Sequence, residues 1–139
     1  TMQLSVVTPM GSKVDTVVTQ VTVPGELGDM GILPGHRALL SSLGVGTLSY
    51  TADGRVAYLA VSGGYVEVDE GGVIVVTETA EAPEDIDLDR AKASLTRCQE
   101  EAAGLAADAL SEQTRISAAI RRARNRIDVA KHSKTSIPS

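Results

Sequence analysis

The sequence predicts two structural classes in one chain: an N-terminal flattened β-sandwich or barrel over residues 1–84, then a C-terminal antiparallel two-helix hairpin over 85–139 with a short disordered tail. Three observations carry this. Before about residue 82, short Val-rich runs are punctuated by Gly, Pro and Asp. At "EAPEDIDLDRA" the apolar spacing changes from two to alternating threes and fours. Charge divides at the same place. Residues 1–84 hold only Lys13, Arg37 and Arg55 as cations, whereas Arg115, Arg121, Arg122, Arg124, Arg126, Lys131 and Lys134 crowd the last segment of a chain whose net charge is −5.

The strands are read from "QLSVVT", "DTVVTQVTV", "GTLSYT", "VAYLAV", "YVEV" and "VIVVTET". In the second run, Val17, Thr19, Val21 and Val23 fall on one face if the run is a single strand. "ADGR" (52–55) and "DEGG" (69–72) predict hairpin turns. With no Trp, no Phe and three Tyr, the core must come from Val, Leu, Ile and Ala.

Pro83 closes the β region, and Asp85 or Asp87 is placed to cap a first helix with carboxylates in its first turn. Leu88, Ala91, Leu95, Cys98, Ala102 and Leu105 form its apolar seam. After a break near Asp108–Ser111, with Ser111 as a second cap, the seam resumes at Ile116, Ile120, Ala123, Ile127 and Ala130. Seams so rich in Ala bury little surface. At about 25 cal/mol per Å² the hairpin is expected to be weakly held and able to change posture.

Helical projection at about 100° per residue puts Arg115, Arg122 and Arg126 on one flank of the second seam, and Asp87, Arg90 and Arg97 on one flank of the first. Two antiparallel helices with facing seams bring these flanks to the same side, so Arg90, Arg97, Arg122 and Arg126 are expected to converge on a groove with Asp87 and Glu81 at its edge. Arginines beside a seam are commonly solvated or paired with carboxylates. Few carboxylates are available here, and a triphosphate is one anion whose oxygens match the guanidinium fork.

Other chemistry has little support. There is no GxxxxGK[ST] loop, Ser62 is not in a GxSxG elbow, and His36 and His132 have no neighbouring metal ligands. The acidic β-half and the scarcity of aromatics argue against nucleic acid. No signal peptide or membrane span is expected, and the single Cys98 cannot form an internal disulfide. No catalytic or metal site is expected.

"GELGDMGILPGHRALLSSLGVGTLSY" (25–50), "LAVSGGYVEV" (59–68) and the opening "LSVVTP" closely resemble the ε subunit of bacterial F-type ATP synthases. The match covers nearly the whole chain to about Lys131. The resemblance implies a non-catalytic central-stalk subunit, peripheral at the cytoplasmic face of the bacterial inner membrane. Its β-sandwich would bind the γ subunit and the ring of c subunits. Its hairpin would fold onto the sandwich or extend into the α/β catalytic head and inhibit hydrolysis. The resemblance also implies a regulatory ATP site, with no cofactor required. "IDLDRA" supplies Ile86, Asp87, Arg90 and Ala91 to the family's motif, and Glu81, Arg97, Arg122 and Arg126 match its other nucleotide contacts. Asp89 departs from the motif, standing where an apolar residue is common. A free-standing nucleotide-sensing module is the rival reading, and it calls for a fully polar β-surface. A rotor subunit must instead expose apolar residues, for which "MGILPGHRALL" is a candidate.

Overall fold

The computed structural model describes residues 1–135, with side chains through His132; the expected tail beyond Thr135 lies outside the described residues. Strands β1 (Met2–Thr8), β2 (Gly11–Val18), β3 (Gln20–Gly25), β4 (Gly28–Ile32), β5 (Leu39–Ala52), β6 (Arg55–Asp69) and β7 (Gly72–Val76) form a sheet in the order β2-β1-β7-β6-β5-β3-β4. A short β8 (Ala80–Glu81) pairs with β6 beside that path. All neighbours run antiparallel except β1 and β7, which are parallel.

The sheet folds over itself because β5 and β6 serve two layers. In the first layer Gly64–Val68 pair with Leu39–Leu43, and β7, β1 and β2 follow. In the second, Arg55–Ser62 pair with Val45–Ala52, and β3 and β4 follow. The bend between layers lies at Gly63 and Gly64, whose φ values are 78° and 115°. A Cβ on Gly64 would run into the carbonyl of Val76, so neither the backbone nor the packing admits another residue. "VAYLAV" and "YVEV" are thus one bent strand rather than two.

A second departure follows from the same crossing of layers. "DTVVTQVTV" is two strands, not one, and its phase inverts at Thr19, whose N–H bonds the Thr51 carbonyl at 2.8 Å. Val18, Val21 and Val23 are buried, while Val17 is 53% exposed. The Gly-rich stretch after residue 25 likewise contains a strand, β4, which buries Ile32 opposite Val21. The "ADGR" turn has Asp53 and Gly54 both at positive φ, a two-residue hairpin matched to strand twist. Leu4, Val6, Val21, Val23, Leu48, Val66 and Val75 are fully buried between the layers.

A single 3-10 turn, Pro83–Asp85, spans the expected domain boundary and leads into α1 (Leu88–Ala103). Of the two candidate caps, Asp87 does the work: its Oδ1 accepts the Arg90 N–H at 3.1 Å. Helix α1 stops at Ala103 with Gly104 following, so Leu105 lies outside it. Helix α2 (Leu110–Thr135) starts one residue before Ser111, which therefore sits in the first turn and is not its cap. The Gln113 N–H bonds the Ala109 carbonyl at 2.9 Å, and the Gln113 side chain reaches back to the Ala106 carbonyl at 2.9 Å.

The hairpin docks asymmetrically. Helix α2 touches β5, β6 and the 3-10 turn, whereas α1 packs chiefly on α2. Ala60, Ile86, Ala91, Ile127, Val129 and Ala130 form a small apolar cluster at this junction, separate from the sandwich core, with Tyr58, Leu88 and Leu95 against it. Among the described residues no helix is long and apolar enough to cross a membrane.

Candidate functional site

A cavity of about 510 Å³ opens between α2 and the second layer of the sandwich. Arg122, Asn125 and Arg126 line its helical wall, and Ser62, Glu78 and Glu81 line its strand wall. Residues 122 and 126 are one turn apart, so both guanidinium groups reach the same space. On the opposite wall, pairing of β8 with Ala60 and Val61 fixes the backbone of Glu81.

The two walls meet in one ion pair. Arg126 Nη2 donates to Glu81 Oε2 at 3.0 Å. Arg126 Nε lies 2.9 Å from Glu81 Oε1, but its N–H is not aimed at that oxygen and has no aligned acceptor although the atom is buried. Charge is therefore balanced while one donor stays unsatisfied. Both side chains keep partial solvent access, at 34% and 29%. Arg122, exposed at the rim, has no ion pair or hydrogen bond among the described residues. Ser62 and Thr79 hydroxyls bond each other, and Thr77 Oγ1 accepts the Ser62 N–H at 3.2 Å, which ties β6 to the link before β8.

The residues expected to converge are only partly brought together. Glu81, Arg122 and Arg126 share the cavity. From α1, Ser94 is in the lining. Arg90 and Arg97 themselves are exposed and do not line it. The reason is the asymmetric dock: α2 faces the sandwich, and α1 sits one layer further out. Asp87 is exposed and engaged in capping. Ile86 and Ala91 are buried in the junction cluster, where they hold α1 in place.

Sequence reasoning missed the face of α2 that meets the sandwich. Asn125, Val129 and His132 stand at i, i+4 and i+7. Asn125 Nδ2 donates to the Gly46 carbonyl at 2.7 Å, and Thr47 Oγ1 donates to Asn125 Oδ1 at 2.9 Å. Val129 is fully buried. His132 stacks on Tyr58 with centroids 3.8 Å apart and planes at 7°. A helix between two neighbours needs two stripes, and this second one is half polar, so a search for apolar periodicity passes over it. The spacing was the available signal. Tyr50, on β5, packs against the sandwich core and is half-buried. Its phenol is pushed above its ordinary value by burial and by the Glu84 carboxylate. Among the described residues, no group of three or more His, Cys, Asp and Glu side chains is placed to hold a metal.

Residues 1–83 match the family model of the ATP synthase delta/epsilon chain β-sandwich domain, and residues 84–131 match that of its long α-helix domain. The ATP synthase epsilon chain 2 of Syntrophotalea carbinolica is 45% identical over 129 residues, 93% of either chain. That of Solibacter usitatus is 47% identical over 102 residues, 73% of this chain and 76% of the relative. Among solved structures, a chain of the Euglena gracilis mitochondrial ATP synthase OSCP/F1/c-ring assembly superposes with a TM-score of 0.81 at 21% identity. It covers 94% of this chain and 81% of its own length. At that identity the likeness speaks for the fold alone.

Proposed function

The chain belongs to the ATP synthase delta/epsilon chain family, and from that premise we propose that its sandwich couples the γ subunit to the c-ring while its hairpin restrains ATP hydrolysis under control of nucleotide. It works without catalysing a reaction itself, as a stalk component carried on the membrane-bound complex at the cytoplasmic face of the bacterial inner membrane.

The observation that carries this reading is the contrast between two outer faces of the sandwich. On the first layer, register aligns Val7, Val76 and Tyr65 in one row across β1, β7 and β6, and Ile74, Glu67 and Leu40 in another across β7, β6 and β5. Leu40 is 69% exposed, and Tyr65, Ile74 and Val7 are also exposed. A neighbouring apolar set of this kind suits a permanent protein partner. Leu33, further along the "MGILPGHRALL" stretch, is exposed as well and suits the c-ring contact. The second layer instead carries the hairpin through a small cluster and a few polar bonds, a dock suited to release. Extended, α2 would present its arginines to acidic segments of the α/β head.

The cavity supports ATP as the controlling ligand. Arg122 and Arg126 offer two guanidinium forks to a phosphate chain, with Arg90 and Arg97 outside the cavity on the matching flank of α1. Ile86, Asp87 and Ala91 form the adjoining start of that helix, near Glu81. Moving a hairpin from 1:99 to 99:1 takes about 5.5 kcal/mol of differential binding. Charge-assisted bonds of about 1.5–3 kcal/mol each reach that with two or three contacts. A free-standing sensor accounts less well for the exposed apolar face.

Two experiments test the reading. The full chain should retain γ and c subunits in pull-down. Deleting residues after Glu84 in a reconstituted motor should keep assembly and raise the hydrolysis rate. Failure to retain γ sinks the rotor role, and an unaltered rate sinks the brake.

A further inference from the structure

We infer that Tyr58 and His132 form a proton-gated clasp, which holds α2 against the sandwich more firmly when the imidazole is charged. The clasp lies apart from the cavity. His132 is six residues beyond Arg126, about 9 Å further along the helix, and neither ring lines that space. The clasp needs no bound nucleotide and bears on the posture of the hairpin with or without one.

The geometry of the stack carries the inference. The ring centroids are 3.8 Å apart and the planes lie 7° from parallel. Carbon atoms in contact need about 3.5 Å, so little room is left for a sideways offset, and the two faces lie nearly over one another. Neutral aromatic rings avoid that arrangement because their negative faces repel. They prefer an offset or edge-on approach with centroids about 4.5–7 Å apart. A charged imidazole reverses the sign, since a cation over the face of a phenol is attracted to it. His132 also stands in the last turn of α2, where the carbonyl end of the helix favours a cation. Burial opposes the charge only in part, because both rings keep some access to solvent.

The surroundings leave this ring as the group that changes charge near neutrality. On the same face of the sheet, Ser49 and Thr51 of β5 and Val56 of β6 are uncharged. The charged side chains on the other packed elements are Asp128 and Lys131 of α2, Glu84 and Asp85 of the 3-10 turn, and Asp87 and Arg90 where α1 begins. As classes, carboxylates are ionised above about pH 5, and lysine and arginine are protonated below about pH 10. These groups therefore keep their charge while an imidazole titrates. Phenols ionise only near pH 10 or so, and the face offered to His132 does not change. Acid thus tightens the dock, and α2 is released more readily as the imidazole loses its proton. An acidic surrounding favours the docked hairpin, and an alkaline one favours the extended arm.

Amide exchange of α2 in the full chain, at about pH 5.5 and about pH 7.5, tests this. Each rate is referred to its intrinsic value at that pH, with the buried strands of the sandwich as internal reference. Protection of α2 should be about two- to five-fold greater at the lower pH. His132→Gln, which cannot charge, should show the weaker protection at both values. Tyr58→Leu keeps an apolar contact without a π face and should lose the pH response. His132→Arg, a planar cation throughout, should show the stronger protection at both values. His36, on the link between β4 and β5, is the other histidine, so a pH response that survives in His132→Gln overturns the clasp. Equal protection at the two pH values in the unmodified chain, or greater protection at the higher one, overturns it too. ATP is left out of every sample, so failure here leaves the nucleotide reading standing.

Discussion

The Asn125 side-chain amide donates to the backbone carbonyl of Gly46, 79 residues away in sequence, at 2.7 Å. With the Thr47 hydroxyl returning a bond to Asn125 Oδ1, one side chain keys α2 to the backbone of β5. Gly46 is required at that point for packing, because a Cβ there would lie 2.6 Å from Cβ of Pro24. Asn125→Ala removes both bonds and should weaken docking by about 1–2 kcal/mol. Amide exchange in the middle of α2 should then speed by about 5- to 30-fold, with the sandwich strands unchanged. Equal exchange in the two chains would show that the key contributes nothing.

Arg122→Ala combined with Arg126→Ala should abolish ATP binding measured by calorimetry while the sandwich melts as before. Both residues lie on α2, outside the main core, so loss of binding with an intact β-half would be a site effect. Unchanged affinity would move the nucleotide elsewhere.

Gly64→Ala is expected to be the most damaging small change in the chain. It forces a side chain into φ 115° and against the Val76 carbonyl, at the point where β6 passes between layers. A cost above about 3 kcal/mol follows, with a melting temperature lower by on the order of 10 °C or failure to fold. Gly35→Ala, also at positive φ (84°) but with open space around it, should cost markedly less in the same melting experiment.

Tyr50 gives a pH dependence with a defined sign. Burial, and then the Glu84 carboxylate, raise its folded-state pKa above the ordinary value of 10.0. The folded state therefore holds the phenolic proton more tightly than the unfolded state does. Its contribution is full below about pH 10 and is lost as pH rises through the raised value. In urea titrations between about pH 9 and about pH 11, Tyr50→Phe should lose less stability than the unmodified chain. Parallel curves would remove Tyr50 from the account.

Leu40→Ser with Tyr65→Ser should weaken retention of γ without lowering the melting temperature, since both side chains face outward and are exposed. Full retention by the double variant would place the partner on another face.

Much of the architecture was legible because its signals are local. Val-rich runs, turn glycines and the switch in spacing at Pro83 report on neighbours within a few residues. Strand continuity through Gly63–Gly64 and the inversion at Thr19 were not legible, since both arise from the chain crossing between layers. In the site, projection expected four arginines in one groove, and of these Arg122 and Arg126 reach the cavity. It placed Arg90 and Arg97 too deep because it treated the hairpin as isolated, whereas α2 is the helix that chiefly rests on the sandwich. The stripe of Asn125, Val129 and His132 escaped notice for the same reason: its partner is a strand more than 60 residues earlier.

The parallel pairing of β1 with β7 sets an order of events during synthesis. Strand β1 lacks one of its neighbours until Val76 has emerged, so the first layer closes late, by a long-range contact. The arginine-rich α2 is made after every strand it rests on, so its dock is the later of the two long-range closures.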